Sequence, residues 1–409
     1  MIKGVRLLLF ANKLGYQIRV FEQAARRLGI DVQLVTDRCH ILDDPWGDHA
    51  VAVRFDDPAG SLHAIDGPVD GIVAVADRPL YLAALAAEKL GVPFHSPQSV
   101  RLSQNKHAAR QCFQRAGLLV PSYRRYALTD TPDGQHEAYP CVLKPLALSG
   151  SRGVIRANDP AEFLAAWARI KRLLESGDIR ERRDEADRFI QVESYIEGRE
   201  YAVEGLIDQG RLQVLAIFDK PEPLEGPFFE ETIYVTPSRE DAATQARIIT
   251  AIEQAVAAVG LSEGPLHGEC RVNEAGVWVL EVAGRPIGGL CAKALSFDGG
   301  RPLEELILRR ALGEPCEAKL DGPASGVMMI PVPCAGIMEG VDGVEQAQKL
   351  AGITEVIITA RAGERLVPLP EGNSYPGFIF ARGKTSKSVE VALREAHKQI
   401  NFRILQTLN

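Results

Sequence analysis

The sequence predicts a multidomain protein that combines α/β with α+β architecture. Two patterns carry this. Near the N-terminus, apolar runs alternate with amphipathic segments, whereas further on apolar runs follow one another at hairpin spacing. The chain of 409 residues is also too long for one ordinary core and implies two to four domains.

Bulk properties narrow the function classes. A hydrophobic content of 46% with 25% charged residues is ordinary for a globular protein. The net charge of −7 leaves no basic footprint, so no nucleic-acid partner is expected. No apolar run reaches membrane-spanning length, and Met1-Ile2-Lys3-Gly4 leads into a strand rather than a signal peptide. The seven cysteines are scattered and never spaced CxxC, which reads as reduced, mostly buried residues of a cytoplasmic protein.

Val5–Phe10 reads as a buried strand, followed by Ala11-Asn12-Lys13-Leu14-Gly15 and a helix to about Leu28. Val32–Thr36 is the next strand, and the pattern repeats through Gly71–Ala76, helix Leu80–Leu90 and Gly91-Val92-Pro93-Phe94. Such alternation indicates a parallel sheet covered on both faces. No GxGxxG follows the first strand, so no dinucleotide site is expected. Asn12-Lys13-Leu14-Gly15 and Asp77-Arg78 fall at the carboxyl edge, where these sheets present ligands.

Asn105-Lys106 opens a helix through Arg115, and Tyr139–Pro145 is a strand ending on Lys144. The following Ser149-Gly150-Ser151-Arg152-Gly153 lets backbone N–H groups approach an anion, to which Lys144 adds a point charge. After helix Ala161–Leu174, the polar stretch Glu175–Arg188 reads as a solvated face or mobile loop. Strand Phe189–Glu193 runs into Glu193-x-x-Ile196-x-Gly198-x-Glu200. Strand Leu212–Phe218 ends in Asp219-Lys220, and the aperiodic Pro221–Pro237 has the length of a functional loop. Helix Asp241–Val259 follows.

Gly268–Val272 and Val277–Val282 then flank Asn273-Glu274-Ala275-Gly276, a hairpin signal with Gly276 at the left-handed position of a three-residue loop. That register pairs Asn273 with Val277, Arg271 with Val279 and Glu269 with Glu281. It puts Cys270, Val272, Trp278, Leu280 and Val282 on the buried face, with Trp278 in the core. Like charges facing each other destabilise a ladder, so something positive should lie between the two glutamates. Two readings stay open: a divalent cation shared with substrate phosphates, or simple neutralisation by Arg271 and Arg285. The eight histidines show no paired metal spacing, and His267 reads as structural or substrate-lining rather than as a ligand. Beyond Arg301–Ala311 a small α+β module begins at about Ala318, with strands Val327–Pro331, Glu355–Thr359 and Gly377–Ala381 and helices Val344–Leu350 and Ser388–Ile400.

Lys106, Lys144 with Ser149–Gly153, the Glu193–Glu200 motif, and Glu269 with Glu281 twelve positions on stand in one order. Together they resemble the ATP-grasp superfamily over essentially the whole chain. Ala318–Asn409 resembles the extra C-terminal domain of the branch that contains the L-amino acid ligases. The resemblance implies an ATP-grasp fold in four parts. Residues 1–104 would form an N-terminal parallel-sheet, Rossmann-like pre-ATP-grasp domain, and 105–200 the small lobe with its linker helix and glycine-rich lid. Residues 201–317 would form the large lobe with the metal site, and 318–409 the L-amino-acid-ligase-like domain.

The same resemblance implies a site. Lys106 and Lys144 would contact the α- and β-phosphates of ATP, with Ser149, Gly150, Ser151, Arg152 and Gly153 closing over them. Glu193 and the backbone of Tyr195 and Ile196 would meet the adenine, Glu200 the ribose, and Lys220 the terminal phosphate. Glu269 and Glu281 would hold Mg²⁺ or Mn²⁺. Many ATP-grasp enzymes carry Asn where this chain has Ala283, which puts a third protein ligand in question. The L-amino acid ligases have a small residue there and then an arginine in the place of Arg285, implicated in holding the acyl-phosphate and the attacking substrate. Glu231 matches a carboxylate that meets a substrate ammonium, and His267, Gly288 and Gly289 would line the substrate pocket.

The activity implied is ATP-dependent ligation of a carboxylate to an amine through an acyl-phosphate, as in dipeptide synthesis from L-amino acids or related small acids. Phosphoryl transfer needs charge neutralisation and positioning more than covalent help. The intermediate also needs a lid that excludes water. The alternatives are an ATP-grasp enzyme activating bicarbonate or formate, and a non-catalytic nucleotide-binding module. The partners expected are small-molecule carboxylates and amines, with no nucleic acid and no membrane, and a homodimer, a state common in this superfamily.

Overall fold

The computed structural model describes residues 4–12, 17–38, 49–372 and 374–406. Lys13-Leu14-Gly15 of the first loop and Cys39 lie outside the described residues. The N-terminal unit contains β1 (Arg6–Ala11), α1 (Ile18–Leu28), β2 (Asp31–Thr36), β3 (Val51–Ala52), α2 (Pro58–Ser61), β4 (Gly71–Val75) and α3 (Asp77–Leu90). Its strands pair in the order β3-β2-β1-β4, all parallel. Along β1, Leu7, Leu9 and Ala11 enter one core while Leu8 and Phe10 enter another. Burial on both faces is why this strand is apolar at every position.

Gly91-Val92-Pro93-Phe94, expected as a further strand, is irregular: Gly91 caps α3 in the left-handed conformation, and Pro93 has no N–H to give a ladder. Helix α4 (Pro97–Gln104) follows, capped by the Ser96 side chain, and then α5 (Lys106–Arg115), capped by Asn105. The small lobe contains β5 (Tyr123–Ala127), β6 (Cys141–Pro145), β7 (Ile155–Ala157), α6 (Pro160–Leu174), α7 (Gly177–Arg180) and β8 (Phe189–Ser194). Its antiparallel sheet runs β5-β8-β6-β7, covered by Phe163, Trp167 and Ile170 of α6.

The rest of the chain comprises β9 (Arg199–Asp208), β10 (Arg211–Lys220), β11 (Ile233–Thr236), α8 (Ala242–Val259), β12 (Gly264–Asn273), β13 (Gly276–Ala283), α9 (Leu303–Ala311) and β14 (Ala324–Ile330). It continues with β15 (Gly336–Asp342), α10 (Val344–Gln348), β16 (Ile353–Ile358), β17 (Arg365–Leu366), β18 (Gly377–Gly383), α11 (Ser386–His397) and β19 (Asn401–Leu405). One eight-stranded antiparallel sheet has the order β13-β12-β9-β10-β11-β14-β18-β16, and β17-β15-β19 form a small separate sheet. Strand β11 therefore joins the site-bearing hairpins to the C-terminal strands. It lies in the stretch expected to be an aperiodic loop. Ile233, Tyr234 and Val235 are buried on both faces of a short strand, so no alternation marks it.

Helix α8 packs Ile248, Ile252 and Val256 against Tyr201, Val203, Leu266, Cys270 and Val279 on the back of the large sheet. The opposite face carries the site. Helix α9 joins the core of the N-terminal unit through Leu303, Leu306 and Ile307. The architecture thus combines an N-terminal parallel sheet, central antiparallel sheets and an accessory C-terminal unit. Among the described residues no helix is long and apolar enough to cross a membrane. The six described cysteines are all free thiols.

Candidate active site

Glu269 on β12 pairs directly with Glu281 on β13. Nearer the turn the register differs from the expected one. Arg271 pairs with Trp278 and Asn273 with Gly276, leaving a two-residue loop, and a bulge at Leu280 takes up the slip. Val277 and Val279 consequently face the core with Cys270, Val272 and Val282, while Leu280 lines the cavity. Trp278 lies outside that core: it is only partly buried and donates from Nε1 to Asn273 Oδ1 at 3.0 Å. Bulges recur beside active sites because they re-aim a side chain. Here the bulge keeps Glu281 opposite Glu269 despite the tighter turn.

Strand alternation supplies the rest of the floor. His267, Glu269 and Arg271 share one face of β12, and Glu200 and Glu204 share the matching face of β9. Gly198 is required where β9 enters, because a Cβ there would lie 2.3 Å from Val272 O. Above this floor is a cavity of about 550 Å³. It is lined by Lys106, Lys144, Ser149, Gly150, Ser151, Glu193, Tyr195, Ile196, Glu200, Glu231, His267, Glu269, Glu281, Arg285, Gly288 and Gly289.

Three expected residues do not line it. Arg152 turns away, donating to Asp178 Oδ2 and to Glu371 O, each at 2.8 Å. Gly153 donates its N–H to Pro370 O at 2.8 Å, and a Cβ there would collide with Pro145. Lys220 lies beneath the cavity. Its Nζ meets Glu269, Glu231 and Glu200 at 2.6, 2.8 and 2.9 Å. A short loop with so few outward side chains is a poor guide to which of its residues face inward.

Neither arginine hydrogen-bonds to the facing glutamates. Arg271 pairs with Glu200 at 2.8 Å, and Arg285 pairs with Asp77 at 2.8 Å and reaches only to 4.0 Å of Glu281. Lys106 Nζ is 3.9 Å from Glu281 and donates to Leu148 O at 2.6 Å. Among the described residues, Glu281 therefore has no cation within direct hydrogen-bonding distance. Ligand atoms of His267, Glu269 and Glu281 lie within 4.8 Å of one another, as do those of Glu200, Glu231 and Glu269. Lys220 Nζ already fills the second cluster. The first, with two carboxylates open to the cavity, suits a hard divalent cation held jointly with phosphate oxygens.

The Lys144 end of the cavity is equally defined. Burial alone would raise the Glu193 carboxyl, but Arg110 and Lys144 outweigh it and hold it down at about 2. Lys144 Nζ lies 2.5 Å from Glu193 Oε2, and Arg110 Nε lies 2.8 Å from Oε1. Burial, helped by Arg110, pushes the Lys144 ammonium down despite Glu193. Further along the cavity, burial and then the Glu269 charge raise Glu231 to about 7, against the pull of Lys220. Glu269 goes the other way, because Lys220 and His267 overcome its burial. His267 is raised to about 10, burial notwithstanding, by Glu204 at 2.5 Å. Glu204 is itself pushed up by burial, so this pair contributes less than the histidine alone suggests.

Sequence reasoning missed several of these groups. Arg110, 1% exposed, ties Glu193 to the carbonyls of Val279 and Leu280. Its signal was a lone arginine among Ala109, Cys112 and Phe113 on the apolar side of α5. Glu204 shares the Glu200 face of β9 four positions on. Asp77 had only its place at a strand end. Ala76 before it has φ 73° and ψ 168°, a conformation that costs a residue with a Cβ about 1–3 kcal/mol. Tyr234, Cys291, Met329 and Tyr375 also line the cavity and had no motif to mark them.

Comparison with known proteins agrees with this fold. The ATP-grasp N-terminal domain family matches residues 21–94, the ATP-grasp domain 137–294 and the L-amino acid ligase C-terminal domain 2 residues 328–404. An uncharacterized protein, y4rH, of Sinorhizobium fredii is 25% identical over 82% of this chain and 68% of its own length. An alanine–anticapsin ligase of Bacillus subtilis is 29% identical over 54% of this chain, which spans only 49% of that relative. The crystal structure of an L-amino acid ligase from Bacillus licheniformis superposes with a TM-score of 0.84 at 26% identity, covering 99% of this chain and 100% of the other. A phosphoribosylglycinamide synthetase from Anaerococcus prevotii shares the fold with a TM-score of 0.67 at 15% identity.

Proposed function

Because this chain belongs to the ATP-grasp superfamily and carries the L-amino acid ligase C-terminal domain, we propose that it joins the carboxylate of an L-amino acid or related small acid to an amine, using ATP. The observation that supports the reading is the Glu269–Glu281 pair, where among the described residues Glu281 meets cations only at 3.9 Å (Lys106) and 4.0 Å (Arg285), set in one cavity with Lys106 and Lys144. Mg²⁺ and ATP, when bound, supply the transferable phosphoryl group and the charge that steadies it. Glu269 and Glu281 hold the cation. Lys106, Lys144 and the N–H groups of Ser149–Ser151 neutralise phosphate oxygens. Glu193 and the backbone at Tyr195 and Ile196 receive the base, and Glu200 the ribose. Since the Tyr195 N–H donates to Pro140 O and the Ile196 carbonyl accepts from Arg271, the Tyr195 carbonyl and Ile196 N–H are left for that task.

Arg285 steadies the acyl group, while His267, Gly288 and Gly289 border the acid. Lys220 acts here by holding three glutamates in place, and reaches the terminal phosphate only if they release it. Glu231 favours an amino acid over bicarbonate or formate. Among the described residues its only close cation is Lys220, shared three ways, so a substrate ammonium offsets charge that those smaller acids leave uncompensated.

Incubation with ATP, Mg²⁺ and pooled L-amino acids tests the reading. ADP, phosphate and a mass shifted by loss of water should accumulate together. Release that answers to bicarbonate or formate and ignores amino acids would support the alternative instead. Nucleotide binding without turnover for any acid would leave a binding module.

A further inference from the structure

We propose that Asp77 docks the ammonium of the acceptor amine, so that the N-terminal unit supplies one side of the amine-binding site. This rests on the ligase reading above. Among the described residues six carboxylates line the cavity: Asp77, Glu193, Glu200, Glu231, Glu269 and Glu281. Glu193 is locked by Arg110 and Lys144, and Glu200 by Lys220 and Arg271. Glu269 and Glu281 form the cation pair. Glu231 and Asp77 remain, and they come from different units of the chain. Joining two amino acids brings two ammonium groups into a closed site, and each needs an anionic partner once water leaves. Glu231 serves one.

Asp77 is built to serve the other. Its Oδ1 accepts from Arg285 Nε at 2.8 Å, and among the described residues no hydrogen bond reaches Oδ2. The side chain is 27% exposed and borders the cavity. Arg285 also reaches to within 4.0 Å of Glu281 Oε1, so Asp77 is one side chain removed from the cation pair, where the acyl group has to lie. The backbone fixes it there: Ala76 holds φ 73°, and Gln104 Nε2 donates to Asp77 O at 2.5 Å. Burial would raise this carboxyl, but Arg285 outweighs it and keeps the group ionised. A carboxylate anchored at one oxygen and open at the other suits a mobile cation.

The test compares two acceptors in Asp77→Asn, which keeps the side-chain shape and loses the charge. One acceptor is the amino acid that supports ligation in the pooled assay. The other is hydroxylamine, uncharged near neutral pH, which traps the activated acid as a hydroxamate. The KM for the amino acid should rise about tenfold or more, and the amide-to-hydroxamate ratio should fall by a similar factor. Equal loss of amide and hydroxamate would mean that Asp77 acts only by holding Arg285, and would overturn the proposal. An unmoved acceptor KM would do the same. Wild-type protein that forms no hydroxamate from any acid sinks the ligase reading itself. If Asp77→Asn fails to fold, the wild type carries the test: the deamino analogue of the acceptor should compete about tenfold more weakly than the amine binds. Equal competition would contradict the assignment.

Discussion

Glu269 faces Glu281 across the β12–β13 ladder, yet among the described residues only Glu269 has a cation within hydrogen-bonding distance. Lys220 lies 2.6 Å from Glu269, whereas the nearest cationic nitrogen to Glu281 among the described residues is Lys106 Nζ at 3.9 Å. Replacing Glu281 should therefore remove cation binding with little harm to the fold. We expect Glu281→Gln to lower ligation about a hundredfold or more, equivalent to roughly 2.7 kcal/mol. Its melting temperature without ligand should stay near that of the wild type. Near-normal turnover in this variant would remove Glu281 from the site.

Lys220 is a structural keystone of the same floor. It is buried and contacts three carboxylates, which hold its ammonium protonated far above the ordinary range against the effect of burial. Lys220→Met leaves those charges without their shared partner. Stability measured by urea unfolding should drop by about 3–5 kcal/mol. A loss below about 1 kcal/mol would show that the glutamates are protonated or screened.

Acid should reveal the Glu193 network. The folded carboxyl sits at about 2 against an ordinary value of 4.5, so its contribution is complete above about 4.5 and is lost as the pH falls toward 2. The downward push on Lys144 offsets part of this, leaving on the order of 1–3 kcal/mol. The stability gap between wild type and Glu193→Gln should thus shrink on acidification through that window. A gap independent of pH would contradict the ion-pair assignment.

Glu371 links the C-terminal unit to the glycine-rich loop. Arg169 donates to both of its oxygens, at 2.5 and 2.8 Å, while its carbonyl accepts from Arg152 and the neighbouring Pro370 carbonyl from Gly153. The ion pair is about 40% exposed, at 41% and 38%, so Glu371→Ala should change stability by less than about 1 kcal/mol. It should instead loosen the loop, raising ATP hydrolysis uncoupled from amide formation by about threefold, an amount worth under 1 kcal/mol. Unchanged coupling would show that the loop closes without this contact.

Much of this was legible because alternation and order survive in sequence. Glu269 opposite Glu281, the Asn105 cap before Lys106 and the doubly buried β1 were all readable from local pattern. The bulge at Leu280 was not, since a two-residue turn with a slip and a three-residue turn without one both bring the glutamates together; the burial of Val277 and Val279 decides between them. Strand β11 was hidden by its brevity and two-sided burial. Arg110, Asp77 and Tyr375 reach the site from separate units of the chain, and such convergence has no sequence period.

The most direct test of the central claim is diffraction from crystals grown with Mn²⁺ and a non-hydrolysable ATP analogue, read at the manganese edge. We predict an anomalous peak bonded to carboxylate oxygens of both Glu269 and Glu281 and to the nucleotide's phosphates. A triphosphate bound elsewhere, with no peak between those two residues, would contradict it.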